Sequence, residues 1–300
     1  MAEQQQKRGR KIALFEGILA GASFGTAAVF IRLIGGVDVF SIAFWRLTIA
    51  VLVLGAAILL LRRPFKAGLL KRFSPQVLFL GVLLGTHFVL FASAVMDTTI
   101  INATVLVNTT PIWAMILSVL ISGVSPTRRA VLGIIISFLG LSVIAYADAS
   151  SPTFNLNLKG DLEALLAAVV EALYLSWGRA TRRKVPILSL MFFIYMLSAL
   201  AVLAASVVMR SGPLFSATSW EAVPVLVGLG VLPTSVAHSL YFSSLSGLKS
   251  FETATLALLE PIAATLLGII LFAEIPSMLF VLGAVFILSG MVSVALQREA

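Results

Sequence analysis

PIWAMIL, residues 111–117, returns 150 residues later as PIAATLL, residues 261–267. The match extends without a gap over residues 106–140 and 256–290 and ends on Gly140 and Gly290. Both copies lie in very apolar sequence. Duplicated membrane units with a proline-interrupted helix in each copy are typical of transporters, and the interruption marks the region of the binding site.

The composition indicates a membrane protein. The chain has 300 residues, of which 60% are hydrophobic and 11% charged, whereas soluble domains carry about 25% charged residues. It has no cysteine, which excludes disulfide scaffolds, thiolate catalysis and Cys-ligated metals. The net charge of +8 suits cytoplasmic loops that face anionic lipid. No basic–aromatic module is present, so no nucleic-acid partner is expected.

The hydrophobic segments predict the fold class, an all-α membrane protein of ten transmembrane helices, because about 20 apolar residues span a bilayer. Residues 1–147 form the first five-helix repeat, with residues 1–11 as a tail, and residues 160–300 form the second. Residues 148–159 are a linker. The ten predicted spans are 12–34, 39–61, 75–96, 100–122, 129–147, 160–180, 187–209, 221–244, 250–272 and 277–296.

The distribution of basic residues predicts the orientation. Lysine and arginine cluster in the tails and the even-numbered loops, for example at residues 128–129 and 182–184, whereas the odd-numbered loops hold only Lys159 and Arg210. Both termini are therefore expected to be cytoplasmic. Because each half has five spans, the second half enters from the opposite side, which makes the halves inverted repeats suited to alternating access.

These residues resemble the EamA-domain family of the drug/metabolite transporter superfamily. In that family a repeat ends in an L-x-P-[IV] helix, a turn with a glutamate and a helix with spaced glycines. The second half has Leu258, Pro261-Ile262, Glu274 and Gly283…Gly290. The first half has Pro111-Ile112 and Gly133…Gly140, with Val124 in place of the acid.

The resemblance implies ten helices in two inverted repeats, with spans 1, 3, 4, 6, 8 and 9 around a cavity. It also implies export of amino acids, drugs or other metabolites. In general character the chain is most similar to the YddG type, the exporters of aromatic and other neutral amino acids. We read the four spaced glycines as a helix-packing face and not as a site.

Ionisable side chains at mid-membrane depth are the first candidates for cavity lining. Glu260 lies ~15 Å into the ninth span at 1.5 Å per residue, and Pro261 opens backbone carbonyls beside it. Either Glu260 binds a substrate ammonium group or a proton, or a neighbour holds it at the helix break. Its counterpart Thr110, together with Asn108 and next to the helix break at Pro111, forms a polar patch that contacts substrate or bonds its own helix.

Glu171 lies in the middle of the sixth span, with Tyr174 three residues later on the same face. This face lines a cavity or makes a structural hydrogen bond between helices. His87 and His238 lie at matching depths in the third and eighth spans, where each lines the pathway or donates to a backbone carbonyl. No third ligand for a metal is evident beside them.

Aromatic and gate residues complete the candidates. Tyr241 and Trp113 could stack on a planar substrate or pack against apolar neighbours. Glu16, near the cytoplasmic end of the first span, is a possible gate residue. Arg46 pairs with an acid or meets a carboxylate; arginine is common at this place in the family, which favours a structural role.

We therefore predict a secondary transporter in a bacterial-type inner (plasma) membrane that exports small amphipathic metabolites, with aromatic and other neutral amino acids as the leading class. The alternatives are an exporter of other metabolites or cationic drugs, and a passive facilitator or channel. Catalytic and nucleotide-binding motifs are absent, so we expect no enzyme and no cofactor. Proton coupling and oligomeric state stay open at this stage.

Overall fold

A computed structural model describes residues 9–34, 36–62, 68, 71, 74–149, 157–209, 220–272 and 276–296. The predicted tail before Gly9, residues 150–156 of the predicted linker, Glu274 and Arg210 lie outside these ranges. The described residues form helices joined by short turns. This agrees with the predicted all-α class.

Ten helical segments, which we call the first to the tenth span, follow one another along the described chain. Four are split into shorter helices. The whole set runs Arg10–Phe24 with Ala27–Leu33, Val39–Leu60, Ser74–Asp97, Ile100–Val107 with Thr110–Ser122, Arg128–Ala149, Leu158–Arg182, Ile187–Met209, Ala222–Leu229 with Gly230–His238 and Ser239–Ser244, Ser250–Leu256 with Ala257–Leu259 and Glu260–Phe272, and Met278–Ala295. The first span begins at Arg10, so the predicted tail is slightly shorter than residues 1–11.

Nine of these segments are long and apolar enough to cross a membrane, counted over the described ranges. The remaining one, Leu158–Arg182, has 25 residues and is therefore long enough, but it carries more charged side chains than the others. It packs against the third and fourth spans inside the bundle. Glu171 and Arg182 are thus buried against protein, whereas Lys159 at the start of the helix is exposed.

The interruptions have identifiable local causes. In the fourth span the helix ends at Val107 and restarts at Thr110, with Pro111 in its first turn, where a missing N–H leaves no bond unmade. In the ninth span a 3₁₀ turn, Ala257–Leu259, precedes the helix that begins at Glu260. In the eighth span Pro233 lies within a nine-residue π-helix, Gly230–His238. These breaks place polar side chains inside the bundle.

The fifth and tenth spans pack on each other through glycines. A Cβ on Gly133 would lie 2.7 Å from the Gly290 carbonyl oxygen, and one on Gly140 would lie 2.5 Å from that of Gly283. Without water to drive apolar association, close backbone approach at small residues is what holds such helices together. The four spaced glycines therefore form a helix-packing face, as the sequence indicated.

Two arginines satisfy carbonyl oxygens at the ends of helices. Arg32 Nη2 donates to the carbonyl oxygen of Thr98, at 2.8 Å, and to that of Val95. Arg179 Nε donates to the carbonyl oxygen of Leu248 over 2.8 Å. The orphan carbonyls at a helix terminus need such donors when they are buried. Both residues therefore stabilise the ends of other spans.

Candidate functional site

A cavity lies within the bundle, where the interrupted spans meet. Its wall is partly aromatic and partly polar. The lining residues come from the first, second, third, fourth, sixth, eighth and ninth spans: Phe24, Ala27, Arg46, His87, Phe88, Phe91, Val107, Asn108, Thr110, Glu171, His238, Ala257 and Glu260. Six of the nine residues predicted to line a cavity are on this wall: His87, Asn108, Thr110, Glu171, His238 and Glu260.

The breaks in the fourth and ninth spans bring Asn108 and Glu260 together. Asn108 Nδ2 donates to Glu260 Oε2 over 3.1 Å, and the same nitrogen donates to the carbonyl oxygen of Thr104 over 2.8 Å. Glu260 is 6% exposed. A buried carboxylate is costly unless it is hydrogen-bonded. Asn108 supplies one hydrogen bond, and the cavity is open to the rest of the carboxylate.

The second carboxylate of the wall, Glu171, lies on the sixth span and is also buried. Thr110 Oγ1 lies 3.3 Å from Glu171 Oε2 and 2.7 Å from the Val107 carbonyl oxygen. A hydroxyl has only one hydrogen to donate, so the two acceptors share it. Glu171 therefore has only a weak protein donor and retains capacity for another.

The two histidines face each other across the wall, with ring centroids 6.0 Å apart. His87 Nδ1 lies 3.0 Å from the carbonyl oxygen of Ala167, which indicates an N–H at that nitrogen. His238 Nδ1 is buried without a hydrogen-bond partner. The His238 ring lies 4.7 Å from the ring of Phe24 and 4.7 Å from that of Phe88. The histidines thus belong to an aromatic side of the cavity.

Arg46 also lines the cavity, although the sequence favoured a structural role for it. The side chain is 1% exposed, and its Nε donates to Thr234 Oγ1 over 3.0 Å. Its guanidinium carbon lies 3.8 Å from the ring centroid of Phe88. The sequence gives only the depth of Arg46 along its own helix. Whether Arg46 lines the cavity depends on how the second span packs against the third and eighth.

Three predicted lining residues lie elsewhere. Trp113 Nε1 donates to Thr109 Oγ1 over 3.3 Å. Tyr174 is buried against Phe242, with its hydroxyl 3.7 Å from Met191 Sδ. Tyr241 is buried behind Phe24, with ring centroids 5.2 Å apart and no hydrogen-bond partner for its hydroxyl.

The two helix-break prolines flank the site. Pro111 lines a smaller neighbouring cavity of about 170 Å³, which shares Asn108 with the first. Pro261 is buried directly after Glu260. Neither proline is on the wall of the larger cavity. Each lies at the helix break that places a polar neighbour, Asn108 or Glu260, on that wall.

Polar contacts close the bundle at the end where the first span begins. Arg10 Nη2 donates to Glu252 Oε1 over 2.6 Å and to the carbonyl oxygen of Ala295 over 3.1 Å. Ser243 Oγ donates to Glu16 Oε1 over 3.2 Å, and Arg182 Nη2 donates to Ser243 Oγ over 3.2 Å. Glu16, the predicted gate residue, therefore lies in a polar cluster that links the first span with the sixth and eighth.

The opposite end has a more exposed polar cluster. Lys159 Nζ donates to Asp97 Oδ2 over 2.7 Å and lies 3.8 Å from Glu163 Oε1. The hydrogen bond to Asp97 raises the pKa of Lys159 above its ordinary value. Thr98 Oγ1 donates to Asp161 Oδ1 over 3.0 Å. These contacts link the third span to the start of the sixth.

Comparisons with known proteins agree with this architecture. The EamA-like transporter family matches residues 11–146 and again residues 158–296. An uncharacterized transporter of the archaeon Archaeoglobus fulgidus is 28% identical over 276 residues, covering 91% of this chain and 92% of that protein. A protein of known crystal structure superposes with a TM-score of 0.77 at 21% identity, over 95% of this chain and 96% of its own, which supports the fold alone. The similarity to the YddG type stays a prediction.

Proposed function

The chain belongs to the EamA-like transporter family of the drug/metabolite transporter superfamily, and from that premise we propose that it exports small amphipathic metabolites. It is a multi-pass integral membrane transporter. The proposed substrates are amino acids, the aromatic and other neutral ones first, and the proposed membrane is the inner membrane of a bacterial-type cell. The driving force is a gradient of substrate or protons, since the sequence holds no nucleotide-binding motif.

The observation that carries this proposal is that Glu171 and Glu260 line one buried cavity. Each has only a partial set of protein donors, so each can accept hydrogen bonds from an ammonium group. Phe24, Phe88 and Phe91 offer an apolar surface on the same wall. An ammonium group attached to an apolar side chain fits both features.

Two equivalent halves of opposite orientation suit alternating access, and two repeated contacts support this arrangement. Leu19-Ala20 in the first span matches Leu166-Ala167 in the sixth at an offset of 147, under which Arg179 is the counterpart of Arg32. Under the offset of 150, Leu248 is the counterpart of Thr98. The two arginines donate to those two carbonyl oxygens at the same distance of 2.8 Å. One contact thus occurs once in each half.

A second contact repeats at the two ends of the bundle. Ser243 donates to Glu16, and their counterparts Ser93 and Glu163 also interact. In the proposed mechanism these two pairs lie at the inner and outer gates, and the Arg10–Glu252 ion pair belongs to the inner one. Rocking of the halves opens one cluster while the other stays closed.

Uptake of labelled amino acids into proteoliposomes tests the proposal, with protein-free liposomes as the control and with or without an imposed pH gradient. We expect saturable uptake that is stimulated by unlabelled substrate on the opposite side. A response to the pH gradient would establish proton coupling. Flux that never saturates would indicate a channel, and uptake of cationic drugs alone would move the substrate class away from amino acids.

A further inference from the structure

The guanidinium of Arg46 has an unused donor at the cavity. Its Nη1 atom is buried and makes no hydrogen bond. Arg46 lies about 10 Å into the second span at 1.5 Å per residue and is on the wall of the cavity, so a molecule bound there can reach this donor. A buried donor without an acceptor costs about 1–3 kcal/mol, and more when it carries charge. Such a group needs an acceptor that the described protein residues do not supply.

The rest of the guanidinium is held in place. Thr234 Oγ1 donates to the carbonyl oxygen of Leu229 over 2.7 Å and accepts from Arg46 Nε over 3.0 Å. The Phe88 ring covers one face of the guanidinium at 3.8 Å. A cation over an aromatic ring is stabilised by the electrons of the ring. Two contacts thus fix the group while Nη1 stays available.

The carboxylates of the cavity do not neutralise this cation. None of the carboxylates in the described ranges lies within 4.0 Å of Arg46, although Glu171 and Glu260 line the same cavity. The wall of the cavity therefore carries one positively charged group, Arg46, and two acidic groups that do not contact it. Opposite charges that share a cavity without pairing suit a ligand that carries both signs.

We propose that Arg46 binds the carboxylate of the substrate while Glu171 and Glu260 receive its ammonium group, so that the site selects zwitterions over simple amines. This inference rests on the proposed function and adds the residue that determines specificity. An arginine is suited to the task, because its fork of donors matches the two oxygens of a carboxylate. A simple amine would satisfy the carboxylates but leave the Nη1 donor of Arg46 without an acceptor.

The rival role for Arg46 is structural, since its bond to Thr234 joins the second span to the eighth. Thr234→Val separates the two roles. It removes the hydroxyl that anchors Nε and leaves the guanidinium present. A purely structural role predicts the same loss of stability in Thr234→Val and Arg46→Gln, with no change in ligand preference in either.

The test measures binding of matched ligands to the purified full-length protein by ligand-induced thermal stabilisation. The pairs are phenylalanine with phenethylamine and leucine with isoamylamine, each amine lacking only the carboxylate. We expect wild-type protein to bind each amino acid at least 10-fold more tightly than its amine, because a charge-assisted bond is lost. Since this comparison uses wild-type protein, it does not depend on the folding of any variant.

In Arg46→Gln the preference should fall to about 1 because binding of the amino acid weakens, and Arg46→Lys should retain part of the preference. Thr234→Val should retain most of the preference. Equal binding of amino acid and amine by the wild type, or an unchanged preference in Arg46→Gln, would overturn the role of Arg46 and leave transport of amine-bearing metabolites standing. Absence of binding and flux for every amino acid would overturn the proposed function together with this inference.

Discussion

Ser137 Oγ donates to the carbonyl oxygen of Ile287 over 3.3 Å, and the two residues occupy the same position in the two halves of the sequence. On either side of this pair, Gly133 approaches Gly290, and Gly140 approaches Gly283. Gly283 is the counterpart of Gly133 and Gly290 is the counterpart of Gly140, so each glycine of the fifth span contacts the counterpart of the other one. Two antiparallel helices that cross at a local two-fold axis have this pattern, which supports the inverted arrangement of the halves.

The close packing of the glycines predicts that the stability of the protein is sensitive to substitution at Gly290. A Cβ there would lie 2.2 Å from Ser137 Oγ and 2.3 Å from the Gly133 carbonyl oxygen, so the helices must separate. We expect Gly290→Ala to lower the free energy of unfolding by about 1–3 kcal/mol. Thermal melting in detergent measures the change. Gly55→Ala is the matched control, because its Cβ would meet only the Phe192 ring at 3.4 Å; equal melting of the two variants would contradict the packing argument.

Glu260→Gln should separate charge from shape at the cavity. The amide keeps the size of the side chain but cannot bind an ammonium group as strongly. Loss of a charge-assisted bond of about 1.5–3 kcal/mol corresponds to a fall of at least 10-fold in the transport rate at low substrate concentration. Proteoliposome flux measures it, and the melting temperature checks folding.

Ser198→Ala is the control for Glu260→Gln. It removes a buried 2.7 Å hydrogen bond to the Gly81 carbonyl oxygen away from the cavity wall. This variant should retain transport. Full activity of Glu260→Gln would remove the carboxylate from the mechanism.

Arg10→Ala should open the end of the bundle where the first span begins. Glu252 is 2% exposed, so loss of Arg10 removes the ion pair of a buried carboxylate and favours separation of the helices. A cysteine at the cavity residue Ala257 reports the opening, because the chain has no other cysteine. We expect maleimide to label it several-fold faster from that side in the Arg10→Ala background.

Lys159→Ala provides the opposite comparison. It removes the ion pair to Asp97 at the other end of the bundle, where both side chains are more exposed. Labelling of the Ala257 cysteine from the Arg10 side should then stay at the rate of the parent protein. Equal acceleration by both variants would argue against separate gates.

The orientation of the chain is testable with two single cysteines. Arg183 is exposed after the sixth span, and Trp220 is 90% exposed before the eighth. With both termini cytoplasmic, a membrane-impermeant maleimide should label Trp220→Cys in intact cells and Arg183→Cys only after permeabilisation. The reverse pattern would invert the proposed topology.

The spans could be predicted from the sequence because the length of an apolar run is a property of the chain alone. The predicted span 187–209 coincides with the helix Ile187–Met209. The π-helix at Gly230–His238 could not be predicted. Thr234 and Ser235 donate to carbonyl oxygens five residues earlier, and Tyr195 of another span donates to the Thr234 carbonyl oxygen, so tertiary contacts accompany this geometry.

The site was predictable only where depth and polarity coincide. Glu171 and Glu260 are ionisable residues in mid-span, and this alone marked them. Tyr174 lies three residues from Glu171, yet it packs against Phe242 because helical spacing indicates a face without indicating its neighbours. Arg46 is held on the cavity wall by contacts with Phe88 and Thr234, and a single sequence does not reveal these contacts.

The unique position of Arg46 has a consequence for stoichiometry. A duplicated scaffold would offer two equivalent anion sites if its chemistry were duplicated as well. The seventh span, Ile187–Met209, is the counterpart of the second span and contains no basic residue. If Arg46 binds the substrate carboxylate as proposed, we expect each cycle to carry a single zwitterion, and the ratio of substrate to any coupled ion is then counted against one molecule.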